Sequence, residues 1–142
     1  MTVLSPKSYK EVCAVVTTYR PNGSFSKRIE YTRQQVGMVV IIDDGDCMQN
    51  KLLLKTWFEK IDNVIYYHNI RNVGIAASLN KGIQIAREQG YEWFLTLDDD
   101  SALRSGMVDF LIMSLRKIKS KKPIGLIGMS WSQKGNIETE VN

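Results

Sequence analysis

Asp98, Asp99 and Asp100 follow directly on the apolar run Trp93-Phe94-Leu95-Thr96-Leu97. A short apolar run bounded by a turn signal reads as a buried strand. Acidic groups leaving the carboxyl end of such a strand sit where open α/β sheets bind their ligands. Adjacent carboxylates repel one another, so three together are costly to hold without a cation. A hard divalent cation with oxygen ligands, shared with substrate phosphates, resolves that repulsion. The other resolution is a solvated acidic turn capping a helix that begins near Ser105. Alternate residues leaving an extended strand point the same way, which pairs Asp98 with Asp100 as the metal candidates.

Polar clusters end the other apolar runs as well. Thr17, Thr18, Tyr19, Arg20 and Pro21 close the first, Asp43 and Asp44 the second, and Asn69, Arg71, Asn72 and Gly74 the third. Tyr19 could stack on a base and Asp44 could accept from a base N–H. Arg71 could meet a diphosphate whose metal is held by Asp98 and Asp100. Turns are rich in Asp, Asn and Gly for reasons of their own, so part of this set is turn chemistry. Together the clusters describe a nucleotide-diphosphate site.

For the clusters to meet, the runs between them must form one sheet. Val12 to Thr18, Met38 to Ile42, Val64 to Tyr67 and Trp93 to Leu97 read as four buried strands, and Ile124 to Met129 as a fifth. A weakly patterned helix runs from Ser24 to about Gln35. Leu53, Leu54, Trp57, Phe58 and Ile61 define one helical apolar face. Ile75, Leu79, Ile83 and Ala86 define the next, with Gly90 placed to stop it, and Met107, Leu111, Leu115 and Ile118 a last one ahead of Pro123. The alternation βαβαβαβαβ predicts an α/β fold, a mainly parallel Rossmann-like sheet with helices on both faces. Right-handed crossovers bring the strand ends to one edge. Residues 130–142 are polar and aperiodic and read as a tail on a single domain spanning 1–142.

The chain has 142 residues, 44% hydrophobic and 24% charged, which excludes disorder and gives enough length for a real core. No apolar run reaches the length of a membrane span, and the first residues lack the apolar core of a secretory leader. Cys13 and Cys47 fit no disulfide or zinc spacing, so a reducing, cytoplasmic setting is expected, extending to the inner face of the membrane. Much of the net charge of +4 lies in Arg116-Lys117-Ile118-Lys119-Ser120-Lys121-Lys122. Such a run can touch an anionic membrane or a polyanion; more often it is a solvated helix end that complements the macrodipole. Peripheral membrane association and oligomerisation are therefore left open, and no nucleic-acid partner is expected.

Val15-Val16-Thr17-Thr18-Tyr19-Arg20-Pro21, Ile42-Asp43-Asp44-Gly45, the block Asn72 to Ile83 and Leu97-Asp98-Asp99-Asp100-Ser101 occur in that order. In this the chain resembles family 2 glycosyltransferases of the GT-A fold, especially the rhamnosyltransferase-like branch. The resemblance implies a nucleobase pocket lined by Thr17 and Tyr19, with Asp44 reading the base. It implies a D-x-D element in which Asp98 and Asp100 bind Mg²⁺ or Mn²⁺ and the donor diphosphate. Asn72, Gly74 and Asn80, with Asp99, are expected to frame the donor sugar and diphosphate. The donor would be a dTDP- or UDP-sugar, the acceptor a glycan or lipid-linked hydroxyl, the transfer inverting, and the setting cell-surface polysaccharide synthesis.

Departures from the family pattern are Arg20 where Asn is usual, Asp46 where Ser is common, and Leu79 where a basic residue is frequent. Family members also continue into an acceptor-binding half that supplies the catalytic base, and no residue here is assigned that role: beyond the triplet only Asp109, Glu138 and Glu140 are acidic. Two other readings compete. A phosphatase of the haloacid-dehalogenase type would use the first Asp as a covalent nucleophile, but needs later lysine and acidic elements. A catalytically incomplete domain would bind nucleotide without turnover. His68 reads as a structural turn residue, Trp57, Phe58 and Trp93 as core, and Trp131 as either core or sugar-facing.

Overall fold

Every residue of β1 (Val12–Thr18) is buried, as are the last five of β2 (Met38–Asp43). Strands apolar on both faces need a layer on each side, and helices supply both. In the computed structural model, residues 5–45, 47–120, 124–131 and 137–141 are described, with backbone alone from residue 129 onward. Between and after the two central strands lie α1 (Phe25–Arg33), α2 (Met48–Phe58), β3 (Val64–His68), α3 (Ile75–Glu88), β4 (Trp93–Asp98) and α4 (Met107–Lys117). β5 (Ile127–Trp131) and β6 (Ile137–Val141) complete the order. No helix among the described residues is long and apolar enough to cross a membrane.

The sheet order is β3-β2-β1-β4, and all three pairings are parallel. The chain winds outward from β1 to β3, then returns to lay β4 on the other side of β1. That reversal leaves a crevice at the carboxyl ends of β1 and β4, the usual ligand position of a doubly wound sheet. Alternate residues sort onto the two faces. Val12, Ala14, Val16, Val39 and Ile41 pack under Phe25 and Ile29 of α1, Leu54 and Phe58 of α2, and Val108 and Ile112 of α4. Cys13, Val15, Val40 and Ile42 pack with Leu79, Ile83 and Ala86 of α3. Phe25 and Phe58 meet edge to face with centroids 5.9 Å apart, which locks α1 to α2.

The expected α/β architecture is present, with three corrections. The fifth strand does not join the parallel sheet. β5 begins at Ile127 and pairs antiparallel with β6, which lies inside the segment read as an unstructured tail. Ile137-Glu138-Thr139-Glu140-Val141 alternates with period two, the pattern of a half-solvated strand, and its polar composition hid that alternation. Leu53 is 46% exposed and α2 ends at Phe58, so the apolar face of α2 is narrower than Leu53 to Ile61. Ile75 is also exposed, since the first turn of α3 borders the crevice instead of the core. Expectations for Asp46, Pro123 and the side chains of Trp131, Glu138 and Glu140 lie outside the described residues.

Gly82 sets how closely α3 approaches the sheet. A Cβ there would collide with Cγ1 of Val15 and come within 3.1 Å of Ile42 Cγ1, and both neighbours are fully buried. Gly82→Ala gains about 1 kcal/mol of helix propensity but must push α3 away from β1, an overpacking cost of about 1–3 kcal/mol. The expected result is a net loss of stability in urea unfolding; a variant more stable than the parent would show that α3 has room to move.

Candidate functional site

The parallel register carries three polar turns to one rim. Thr17 of β1 stands opposite Asp98 of β4, and Thr18 stands opposite Asp43 of β2. The cleft between them has a volume of about 380 Å³ and is lined by Thr17, Tyr19, Asp44, Asn72, Asp98, Asp99 and Asp100, joined by Thr18, Ile75 and Ser78. Seven of the residues singled out in the sequence thus meet in a single cleft. Gly74 lies just behind it, where its positive φ of 86° lets the chain turn into α3 while its N–H binds Asp44. Arg71 is exposed and outside the lining, and Asn80 borders a separate surface hollow with Ile83, Gln84 and Arg87. The structure does not bring those two into the cleft.

Within the triplet the three carboxylates are unequal. Asp98 and Asp100 are exposed, whereas Asp99 is half-buried. Asp99 Oδ2 accepts from the Thr18 hydroxyl at 2.8 Å and from the Tyr19 N–H at 3.4 Å. Its backbone carbonyl accepts from Arg28 Nε at 2.6 Å. The middle aspartate therefore fastens the turn to β1 and α1, and its two neighbours are left for a ligand. Among the described residues no three His, Cys, Asp or Glu side chains converge to hold an ion unaided. Mg²⁺-type sites commonly take one or two carboxylates and complete their shell with substrate phosphates and water, and carboxylate oxygens suit Mg²⁺ and Mn²⁺. The donor set of Asp98 and Asp100 fits an ion of that kind.

The second acidic turn is buried and saturated. Asp44 is 5% exposed. Its Oδ1 accepts from Asn69 Nδ2 at 2.8 Å and the Val73 N–H at 2.9 Å, and its Oδ2 accepts from the Gly74 N–H at 2.8 Å. Burial alone would raise its carboxyl pKa. The donors from Val73, Asn69, Gly74 and Ser78 outweigh that and hold it below the ordinary aspartate value. Asp44 thus ties the loop before α3 to the end of β2 while facing the cleft. Asp43 beneath it accepts from Tyr66 Oη at 2.7 Å and from the Gly45 N–H at 2.9 Å, and lies 3.0 Å from His68 Nδ1. Burial and the neighbouring Asp43 raise the Tyr66 phenol. His68 is engaged in this network, in keeping with a structural role.

At the first turn Tyr19 is 47% exposed, and the Arg20 guanidinium carbon lies 5.1 Å from the centre of its ring. Arg20 has φ of 54°, the left-handed conformation that Asn tolerates better than most residues. That accounts physically for the Asn expected at this position. Thr18 and Asn69 were named in the polar clusters but given no individual role, and Ser78 and Arg28 were not named. The first three adjoin or lie within blocks that were, but nothing local marks Arg28, an arginine on a weakly patterned helix.

The sequence pattern of glycosyl transferase family 2 matches residues 13–120. No curated protein matches the chain. Among solved structures, the crystal structure of GalNAc-T7 with UDP, GalNAc and Mn²⁺ matches with a TM-score of 0.53 at 13% identity. The match covers 90% of this chain but 29% of that one, and at such identity it concerns the GT-A fold alone. With a family pattern running from the first residues of β1 to beyond α4, and a sheet whose switch point carries the acidic turn, the chain belongs to glycosyl transferase family 2.

Proposed function

We propose that the cleft binds a nucleotide-diphospho-sugar with Mg²⁺ or Mn²⁺ and presents the sugar for inverting transfer to an acceptor hydroxyl. The observation that carries this reading is the convergence of Tyr19, Asp44 and the Asp98–Asp100 pair in one cleft at the switch point. Tyr19 offers an exposed ring for base stacking. Asp44 sits where a base N–H would reach it, although its lone pairs are already shared with the loop before α3. At the amino end of α3 the Val73 and Gly74 N–H groups already bind the Asp44 carboxylate, so the positive charge for a diphosphate must come from the cation. UDP and Mn²⁺ in the solved neighbour support a uridine donor, and a dTDP-sugar is the alternative that the rhamnosyltransferase likeness suggests.

In the transfer, the acceptor oxygen bonds to the anomeric carbon as the bond to the diphosphate oxygen breaks. The bonding pair leaves with the diphosphate. A divalent cation on Asp98 and Asp100 would neutralise that charge as a Lewis acid. Asp99 between them is bonded inward by Thr18 and Arg28. The acceptor proton needs a base on the opposite face of the sugar. Asp44 and Asp99 are taken by hydrogen bonds, Asp98 and Asp100 would be taken by the cation, and among the described residues no other Asp or Glu lines the cleft. Asp109 is exposed in the first turn of α4 and is not among the lining residues. The base is therefore expected from beyond the described residues or from another chain. A glycan or lipid-linked acceptor in cell-surface polysaccharide synthesis, at the cytoplasmic face of the membrane, fits this chemistry. Cys13 is consistent with a reducing setting and plays no part in it, since burial pushes its thiol up to about 12.

Two experiments test the reading. Calorimetric titration of UDP-sugars should show Mn²⁺-dependent binding that Asp100→Asn weakens about tenfold or more, about 1.4 kcal/mol, with little change when Mn²⁺ is omitted. Equal affinity of the parent with and without Mn²⁺ would reject the metal role. For Asp44 the folded pKa lies below the unfolded value of about 3.9. Its contribution is therefore complete above that value and fades as pH falls through the folded one. Asp44→Asn should lose about 1–3 kcal/mol at neutral pH through broken buried hydrogen bonds. Its stability should then fall less steeply than the parent's below about pH 4, as read from urea unfolding across pH.

A further inference from the structure

We infer that Arg28 is a positioning residue for the cation-binding turn, holding Asp98 and Asp100 in register by gripping the backbone of the residue between them. The inference rests on the metal role proposed above. Arg28 lies in the first half of α1 and is half-buried. Each nitrogen of its guanidinium has an acceptor. Nε donates to the Asp99 carbonyl at 2.6 Å, Nη1 to Ser24 Oγ at 2.5 Å and Nη2 to Asn22 Oδ1 at 3.1 Å. Ser24 in turn donates its N–H and hydroxyl to Asn22 Oδ1 at 3.1 and 2.8 Å. The planar fork is thus fixed at its far end by a small closed network and reaches the acidic turn with its near end. Asp99 is held a second time, through Oδ2, by Thr18. The carbonyl bond fixes the peptide plane between Asp99 and Asp100, and the carboxylate bond fixes the side-chain direction of Asp99; together they set how the turn presents Asp98 and Asp100.

A charge effect and a positioning effect differ in sign here. Removing a cation from beside three carboxylates should, by Coulomb's law alone, tighten binding of another cation. Losing the grip on Asp99 should weaken it. The test is titration of Mn²⁺ in the presence of saturating UDP, followed by electron paramagnetic resonance of free Mn²⁺, on the whole chain. Arg28→Met is expected to weaken Mn²⁺ binding about tenfold, in the range seen when groups that orient metal ligands are removed. Arg28→Lys keeps the charge but has no fork, and is expected to weaken it nearly as much. UDP affinity without metal should change little in either. Because Arg28→Met could disturb α1, Ser24→Ala provides a second variant at an exposed position, expected to weaken Mn²⁺ binding by a smaller factor. Unchanged or tighter Mn²⁺ binding by Arg28→Met, restoration by Arg28→Lys, or no effect of Ser24→Ala would overturn the inference. Failure of the parent to bind Mn²⁺ would instead overturn the metal role, and is seen before any variant is made.

Discussion

β1 is hydrogen-bonded on both sides, to β2 and to β4, so its carboxyl end is the place that both acidic turns can share. Thr17 opposite Asp98 and Thr18 opposite Asp43 follow from that arrangement without further design. A one-residue slip between β1 and β4 would exchange the faces of β4, taking Trp93, Leu95 and Leu97 off the core and turning Asp98 away from Thr17. The apolar faces of the sheet therefore enforce the geometry of the polar rim. Packing under α1, α2 and α4 on one face and α3 on the other sets a register, and the register sets which carboxylates meet.

Two kinds of acidic turn result, distinguished by where their hydrogen bonds go. Asp43 and Asp44 are buried and each carboxylate oxygen accepts from a donor of the protein, as burying a carboxylate requires. Both hold loops in place. Asp98 and Asp100 project into solvent, and only Asp99 between them is bonded inward. Repulsion within the triplet is left for an external cation to relieve, while alignment is supplied by Thr18 and Arg28. The cleft is acidic although the chain as a whole carries a net charge of +4, so on the function proposed above a diphosphate would enter it with a cation as intermediary.

The central strands were legible because strands buried on both faces must be nearly continuous runs of apolar residues, as Val12 to Val16 and Val39 to Ile42 are. The rim was legible through adjacency: Tyr19, Asp44 and Asp98 each sit at the end of such a run. Arg71 and Asn80 also adjoin or belong to signature blocks, yet proximity in sequence does not say which way a loop or helix turns, and these two fall outside the cleft. Arg28 was invisible for a different reason, since it meets Asp99 across 71 residues of chain and no local pattern records such a contact. β6 was missed because its glutamates were read as solvated tail, when alternation with Ile137, Thr139 and Val141 was the stronger signal.

β4 closes the sheet at one end, and unlike β1 it has no fully buried residue. An edge strand is hydrogen-bonded on one side only, and Trp93, Leu95 and Leu97 packed on the core supply the rest of its hold. The strand that delivers the aspartate turn is thus held from one side of the sheet, and the turn beyond it is tied across the Thr18 and Arg28 links to better-enclosed neighbours. Breathing at this edge would be transmitted to the aspartates only as far as those two tethers yield.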